Sequence, residues 1–245
     1  MSSNVSKKEI AHFSKDSHRW WEEDGPFAPL HRLNPTRLSY LKAQICARFC
    51  RNTDSLRPFE GLRVLDIGCG GGLVCEPLTR LGASVTGIDA DAQALNTAQD
   101  HAISSGLDIS YKQKLAEELR DRYDVVLALE IAEHVPDLTA FVESCARLLE
   151  PSGLAIFSTL NRTPKSFALG IIAAEYVLRW VPQGTHHWKN FVRPSELARA
   201  ARHAGLRPED VTGLIFNPLK RDFTLSRRDL DVNYFMSAVK ADFYG

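Results

Sequence analysis

Apolar positions along this chain come in short continuous runs separated by stretches with helical spacing, and the two patterns alternate. The runs predict strands at 62–67, 84–88, 108–112, 123–129 and 153–159, and the amphipathic stretches predict helices at 73–82, 91–105 and 138–149. Strands alternating with helices are expected to lie parallel, joined by right-handed crossovers, with ligands at their carboxyl ends. Two helices are expected ahead of the sheet: 7–22, ending in Trp20 and Trp21, and 35–50, opening at Pro35 as a first-turn proline. They are placed over one side of the ligand. Pro151-Ser152-Gly153 is read as a break between helix and strand. Beyond it come an unusually apolar helix at 165–182, a polar helix at 194–204 and an antiparallel pair formed by 206–216 and 231–240. The expected fold class is α/β, with a mostly parallel central sheet, helices on both faces, an antiparallel closing strand and an N-terminal helical extension. The 245 residues suit one domain. Its expected parts are a helical cap at 1–55, a ligand-binding core at 56–160, an apolar lid or membrane-contact insertion at 161–193 and completion of the sheet at 194–245.

The first run carries chemistry. Val64-Leu65-Asp66-Ile67 leads straight into Gly68-Cys69-Gly70-Gly71-Gly72, and Asp89 closes the next run. Glycines let backbone N–H groups approach a ligand closely, and an acid at that distance can accept bonds from both hydroxyls of a ribose. A dinucleotide and S-adenosylmethionine share these requirements. The dinucleotide fingerprint needs a small residue at position 73, where this chain has Leu73. The third glycine comes early, at Gly72, and the loop after Asp66 resembles the first motif of the Rossmann-like, class I methyltransferases. A dehydrogenase becomes the more distant reading.

Composition narrows the acceptor. Thirty lysines and arginines balance thirty acids, so nothing attracts a polyanion and a nucleic-acid substrate is disfavoured. Cys46, Cys50, Cys69, Cys75 and Cys145 are odd in number and lack paired spacing. They are read as small buried hydrophobes rather than a disulfide framework or zinc knuckle. The segment 1–10 is polar and mixed in charge, unlike a signal or transit peptide, so a cytoplasmic location is expected. No apolar run reaches the length of a membrane span.

At the end of the fourth strand stands Glu130-Ile131-Ala132-Glu133-His134. If one helical turn forms there, residues 130, 133 and 134 share a face, bringing two carboxylates and an imidazole together. Such a set could bind magnesium or manganese, with zinc also compatible, or it could brace the following helix. Methyl transfer to a phenol needs the hydroxyl proton removed, because a phenol of pKa about 10 is mostly protonated at neutral pH. A metal on the hydroxyl or His134 as general base would serve. Arg37 could grip the carboxylate of a zwitterionic cofactor, although a lone helical arginine is ordinarily a solvated one. The apolar stretch Lys165–Val181 is too short and too charged to span a bilayer, but it could lie on one or pack as a lid. His186 and His187 are read as pocket or hinge residues.

These segments together resemble one family, the ubiquinone-biosynthesis O-methyltransferases, nearly end to end. The resemblance rests on Trp20-Trp21 with Gly25-Pro26-Phe27, the stretch Pro29–Pro35 with Arg37, and the glycine loop. More specific are Glu130–Val135, Ser158-Thr159-Leu160-Asn161-Arg162, Val181-Pro182-Gln183-Gly184-Thr185-His186 and Asp231-Val232-Asn233-Tyr234. It implies methylation of polyprenyl phenol and catechol intermediates, 2-polyprenyl-6-hydroxyphenol and 3-demethylubiquinol, by S-adenosylmethionine. It implies cofactor contacts at Arg37, Gly68, Asp89 and Leu129, beside the loop residues Asp66, Gly70 and Gly72, and a metal site at Glu130, Glu133 and His134. It further implies peripheral association of 165–187 with the inner face of the membrane, and partnership with other proteins of the pathway. One departure is His187, where family members often carry an acid after the histidine. Two other readings stay open: a methyltransferase for another small acceptor, and a membrane-docked assembly subunit without catalysis.

Overall fold

The computed structural model describes residues 14–168, 188–218 and 222–241. Eight strands form one sheet: β1 Arg63–Ile67, β2 Ser84–Asp89, β3 Ser110–Gln113, β4 Tyr123–Leu129, β5 Leu149–Leu160, β6 Leu206–Asn217, β7 Asp222–Ser226 and β8 Asn233–Lys240. Their spatial order is β3-β2-β1-β4-β5-β8-β6-β7. The first five pair in parallel, and β8, β6 and β7 continue the sheet antiparallel. The expected α/β class and the closing pair are both present.

Side chains alternate strictly between the two faces of the central strands. Val64, Leu127, Ile156 and Phe235 face one core, where α1 (Ala28–Arg48), α2 (Cys75–Arg80) and α3 (Ala92–Ser104) contribute Leu41, Ile45, Leu78 and Ala102. Leu65, Val126, Phe157 and Tyr234 face the other core, against α4 (Leu138–Arg147) and α5 (Pro194–His203), which bring Val142, Cys145, Leu197 and Ala201. Leu41 and Ile45 are fully buried, each contributing about 2 kcal/mol of burial. Asp91 and Asp137 start α3 and α4 by accepting the N–H groups of Gln93 and Ala140.

Several expectations need correction. Helix α1 begins at Ala28, with Pro29 in its first turn, and Pro35 lies inside it. Pro29 satisfies the first-turn preference, and the buried stripe Leu33, Arg37, Tyr40, Leu41 carries the helix through Pro35. Within 7–22, the described part is a 3-10 helix at Ser14–Arg19 followed by turns. Pro151-Ser152-Gly153 does not end an element. It forms an irregularity inside β5, where the pairing jumps from Leu149 to Leu154 and Ser152 takes φ 60°. Strand β7 was not expected from the sequence. Cys50 is exposed and follows α1 with φ 51°, while the other four cysteines are buried. The apolar helix expected at 165–182 and the histidines at 186 and 187 fall mostly or wholly outside the described residues. Among the described residues, no helix is long and apolar enough to cross a membrane.

Candidate active site

The parallel strands deliver their ends to one edge of the sheet, and the glycine turn follows β1 there. Gly68, Gly70 and Gly72 take φ values of 73°, 51° and 83°, a region that side chains with a Cβ rarely adopt. The turn is held to its neighbour: the N–H groups of Gly68 and Cys69 donate to the Ile88 carbonyl, and the Gly70 N–H donates to Asp89 Oδ2 at 2.9 Å. Asp89 Oδ1 accepts the N–H of Asp91, also at 2.9 Å. Both carboxylate oxygens are therefore fixed at the end of β2, each keeping a further lone pair for a ligand hydroxyl. Burial raises the Asp89 pKa, and the backbone donors of Asp91 and Gly70 oppose the rise.

Asp66 lies beneath the turn, buried, with the Cys75 thiol donating to it over 3.3 Å. Burial pushes its carboxyl up to about 7, against the nearby Arg37 charge. Arg37 is only 5% exposed. Burial lowers its pKa, while Glu130 and Asp66 raise it. Among the described residues, its Nε has no hydrogen-bond partner. A buried guanidinium with a spare donor fits the carboxylate of a methionyl group, so the lone-surface-arginine alternative does not apply.

The N-terminal segment closes over the turn. A Cβ on Gly70 or Gly71 would come within 2.5 or 2.3 Å of the Trp20 side chain, so two bare glycines form the bed on which it rests. Trp20 stacks on Phe27 at 3.9 Å, Trp21 Nε1 donates to the Gly71 carbonyl, and Trp21 stacks on His101 at 3.5 Å. Ser17 donates to Asp91 Oδ2 at 2.6 Å.

At the end of β4, Leu129 is buried and Glu130 turns the chain with φ 55°. The expected helical turn begins only at Ala132, as a 3-10 turn through His134, and does not include Glu130, although Glu130 and His134 both act electrostatically on Glu133. Glu130 instead belongs to the strands. Ser158 Oγ donates to Oε1 at 2.7 Å, and Asn233 Nδ2 lies 3.1 and 3.0 Å from the two oxygens. Glu133 is buried and accepts the Thr159 hydroxyl at 2.6 Å. Desolvation pushes its carboxyl up to about 7, helped by the Glu130 charge and opposed by His134.

Among the described residues, no group of three or more His, Cys, Asp or Glu is arranged to hold a metal ion. Ser158 and Asn233 orient the Glu130 carboxylate, and Thr159 orients that of Glu133. The expected metal site at Glu130, Glu133 and His134 thus finds no support among the described residues. Ser158, Thr159 and Asn233 carried no expected role, although they stand in the motifs that made the resemblance specific.

A methyltransferase-domain family model matches residues 38–211. The chain is 50% identical over 242 residues to the ubiquinone biosynthesis O-methyltransferase of Cereibacter sphaeroides (strain ATCC 17029 / ATH 2.4.9), covering 98% of each. It is 51% identical over 241 residues to that of Rhodopseudomonas palustris (strain TIE-1), covering 98% of this chain and 95% of the relative. The chain belongs to the ubiquinone biosynthesis O-methyltransferase family. Solved structures share the fold at lower identity. Magnesium protoporphyrin IX methyltransferase of Synechocystis PCC 6803 with bound SAM has a TM-score of 0.63 at 19% identity, covering 98% of this chain and all of that one. A SAM-dependent methyltransferase from Thermotoga maritima reaches 0.64 at 16% identity, covering 96% of this chain. As a ubiquinone biosynthesis O-methyltransferase, the protein is an S-adenosylmethionine-dependent enzyme with a class I methyltransferase fold.

Proposed function

We propose that this enzyme methylates a ring hydroxyl of polyprenyl phenol and catechol intermediates, 2-polyprenyl-6-hydroxyphenol and 3-demethylubiquinol, with S-adenosylmethionine as donor. The observation that carries the reading is the position of the Glu133–His134 turn. It closes β4, directly beside β1, whose end carries the glycine turn next to Arg37.

In this reading Asp89 holds the ribose, Gly68, Gly70 and Gly72 leave room for the methionyl chain, Arg37 grips its carboxylate above Asp66, and Leu129 packs against the bound cofactor. When bound, S-adenosylmethionine supplies an electrophilic methyl group on its sulfonium. The protein must hold the acceptor oxygen in line with that methyl and remove its proton. An imidazole nitrogen of His134 takes the proton. Glu133, its oppositely charged neighbour once ionised, stabilises the imidazolium that results. Glu130, clamped by Ser158 and Asn233, fixes the bend that aims this turn at the pocket.

The membrane surface is the proposed source of so apolar an acceptor. Supporting this are the apolar sequence through 165–181 and, within it, Phe167, 44% exposed two residues from Lys165. Peripheral association with the inner face of the membrane, and contact with other proteins of the pathway, belong to the same proposal.

The test is in two parts. Purified protein, S-adenosylmethionine and a short-chain prenylated catechol are expected to yield the O-methyl product by mass spectrometry. Cells lacking the protein are expected to accumulate demethylated quinone precursors at both stages. An unchanged quinone profile would overturn the pathway reading.

A further inference from the structure

Two buried polar atoms of opposite sense sit three residues apart on α1. Among the described residues, Arg37 Nε is a donor without a partner, and Asn34 Oδ1 is an acceptor without one. Spacing of three residues places both on one helix face. Asn34 is not free to turn away, because its Nδ2 donates to the Leu73 carbonyl at 2.8 Å, at the exit of the glycine turn. That bond fixes the amide plane and leaves Oδ1 buried and unsatisfied. Arg37 lies close enough to Asp66 and Glu130 to feel both charges. Buried polar groups are ordinarily paired, and leaving one unpaired costs about 1–3 kcal/mol. Two such unpaired groups on one helix face, one donor and one acceptor, match a ligand that carries a carboxylate and an ammonium on one carbon.

We propose that Asn34 and Arg37 together form the recognition site for the α-amino-acid head of the cofactor, with Asn34 Oδ1 accepting from its ammonium while Arg37 binds its carboxylate. The inference rests on the S-adenosylmethionine reading above and adds Asn34, a residue to which no role has been given. Asn34 acts twice: its nitrogen ties α1 to the glycine turn, and its oxygen reads the ligand. The site then discriminates for an intact amino-acid head rather than for the adenosine alone.

Calorimetry of the full chain with two ligands separates these roles. S-adenosylhomocysteine carries the amino-acid head, and 5′-methylthioadenosine lacks it. Asn34→Ala is expected to weaken S-adenosylhomocysteine about tenfold more than 5′-methylthioadenosine. Asn34→Asp keeps an acceptor oxygen and is expected to retain the preference for the intact head, which keeps the test available should the alanine variant fail to fold. Equal loss of both ligands in Asn34→Ala would show a purely structural role and overturn the proposal. So would full affinity for S-adenosylhomocysteine in that variant. Failure of the wild-type protein to bind either ligand would instead sink the cofactor reading on which the inference rests.

Discussion

Thr159 donates its hydroxyl to Glu133 Oε2 over 2.6 Å, with both residues buried. The bond favours the ionised carboxylate, opposing the desolvation that pushes Glu133 up to about 7. Thr159→Val removes the donor at nearly constant volume, so the Glu133 pKa rises further. If ionised Glu133 supports proton removal by His134, kcat increases with pH through this ionisation. The limb is then expected to move about one pH unit towards alkali in the variant. A profile that stays in place would show that Glu133 does not set it.

The same raised carboxyl links stability to pH. Glu133 moves from 4.5 to about 7 on folding, and Asp66 from 3.8 to about 7. Between those values the folded protein holds protons that the unfolded chain has released. Each group's contribution is complete below its ordinary pKa and is lost as pH rises through about 7. Thermal melts of the wild type are expected to shift downward across that window, and those of Glu133→Gln less so. Equal slopes in the two proteins would contradict a raised Glu133.

Asp89 joins the glycine turn to the neighbouring strand end and, in the proposed mode, also binds the ribose. Asp89→Ala is expected to weaken S-adenosylhomocysteine by about tenfold to a hundredfold in calorimetry, as loss of a charge-assisted hydrogen bond does. Affinity within twofold of wild type would place the ribose elsewhere.

Gly71 offers a cleaner test of packing, because a Cβ there would come within 2.3 Å of Trp20 Cγ. Gly71→Ala is expected to cost about 1–3 kcal/mol, as overpacking does. Trp20→Gly should restore part of that loss in the double variant, since the atoms met include Trp20 Cβ at 2.4 Å, which alanine would keep. Additive losses in denaturant melts would mean that Trp20 does not rest on the turn.

The parallel half of the sheet was legible because β1, β4 and β5 are covered on both faces and read as continuous apolar runs. Strand β7 was not, because Asp222–Ser226 lies half exposed at the sheet edge and carries no such run. Pro35 misled for a local reason: a proline six residues earlier had already supplied the helix start. Asp89 and the Glu130–His134 stretch could be found because parallel topology gathers strand ends on one edge. Their partners could not be named, since Asn233 reaches Glu130 only through the antiparallel register that sets it opposite Leu160. Pairing across a sheet leaves no periodic trace in either strand alone.

That register also orders the birth of the molecule. Strands β6 and β7 precede β8 in the chain, yet they join the sheet only through it. Because β8 lies between β5 and β6, the sheet cannot reach its final order until this last strand has been made. Asn233, at the leading end of β8, joins Ser158 on the Glu130 carboxylate and comes later in the chain. The acid bend beside the glycine turn is therefore completed only when the sheet is.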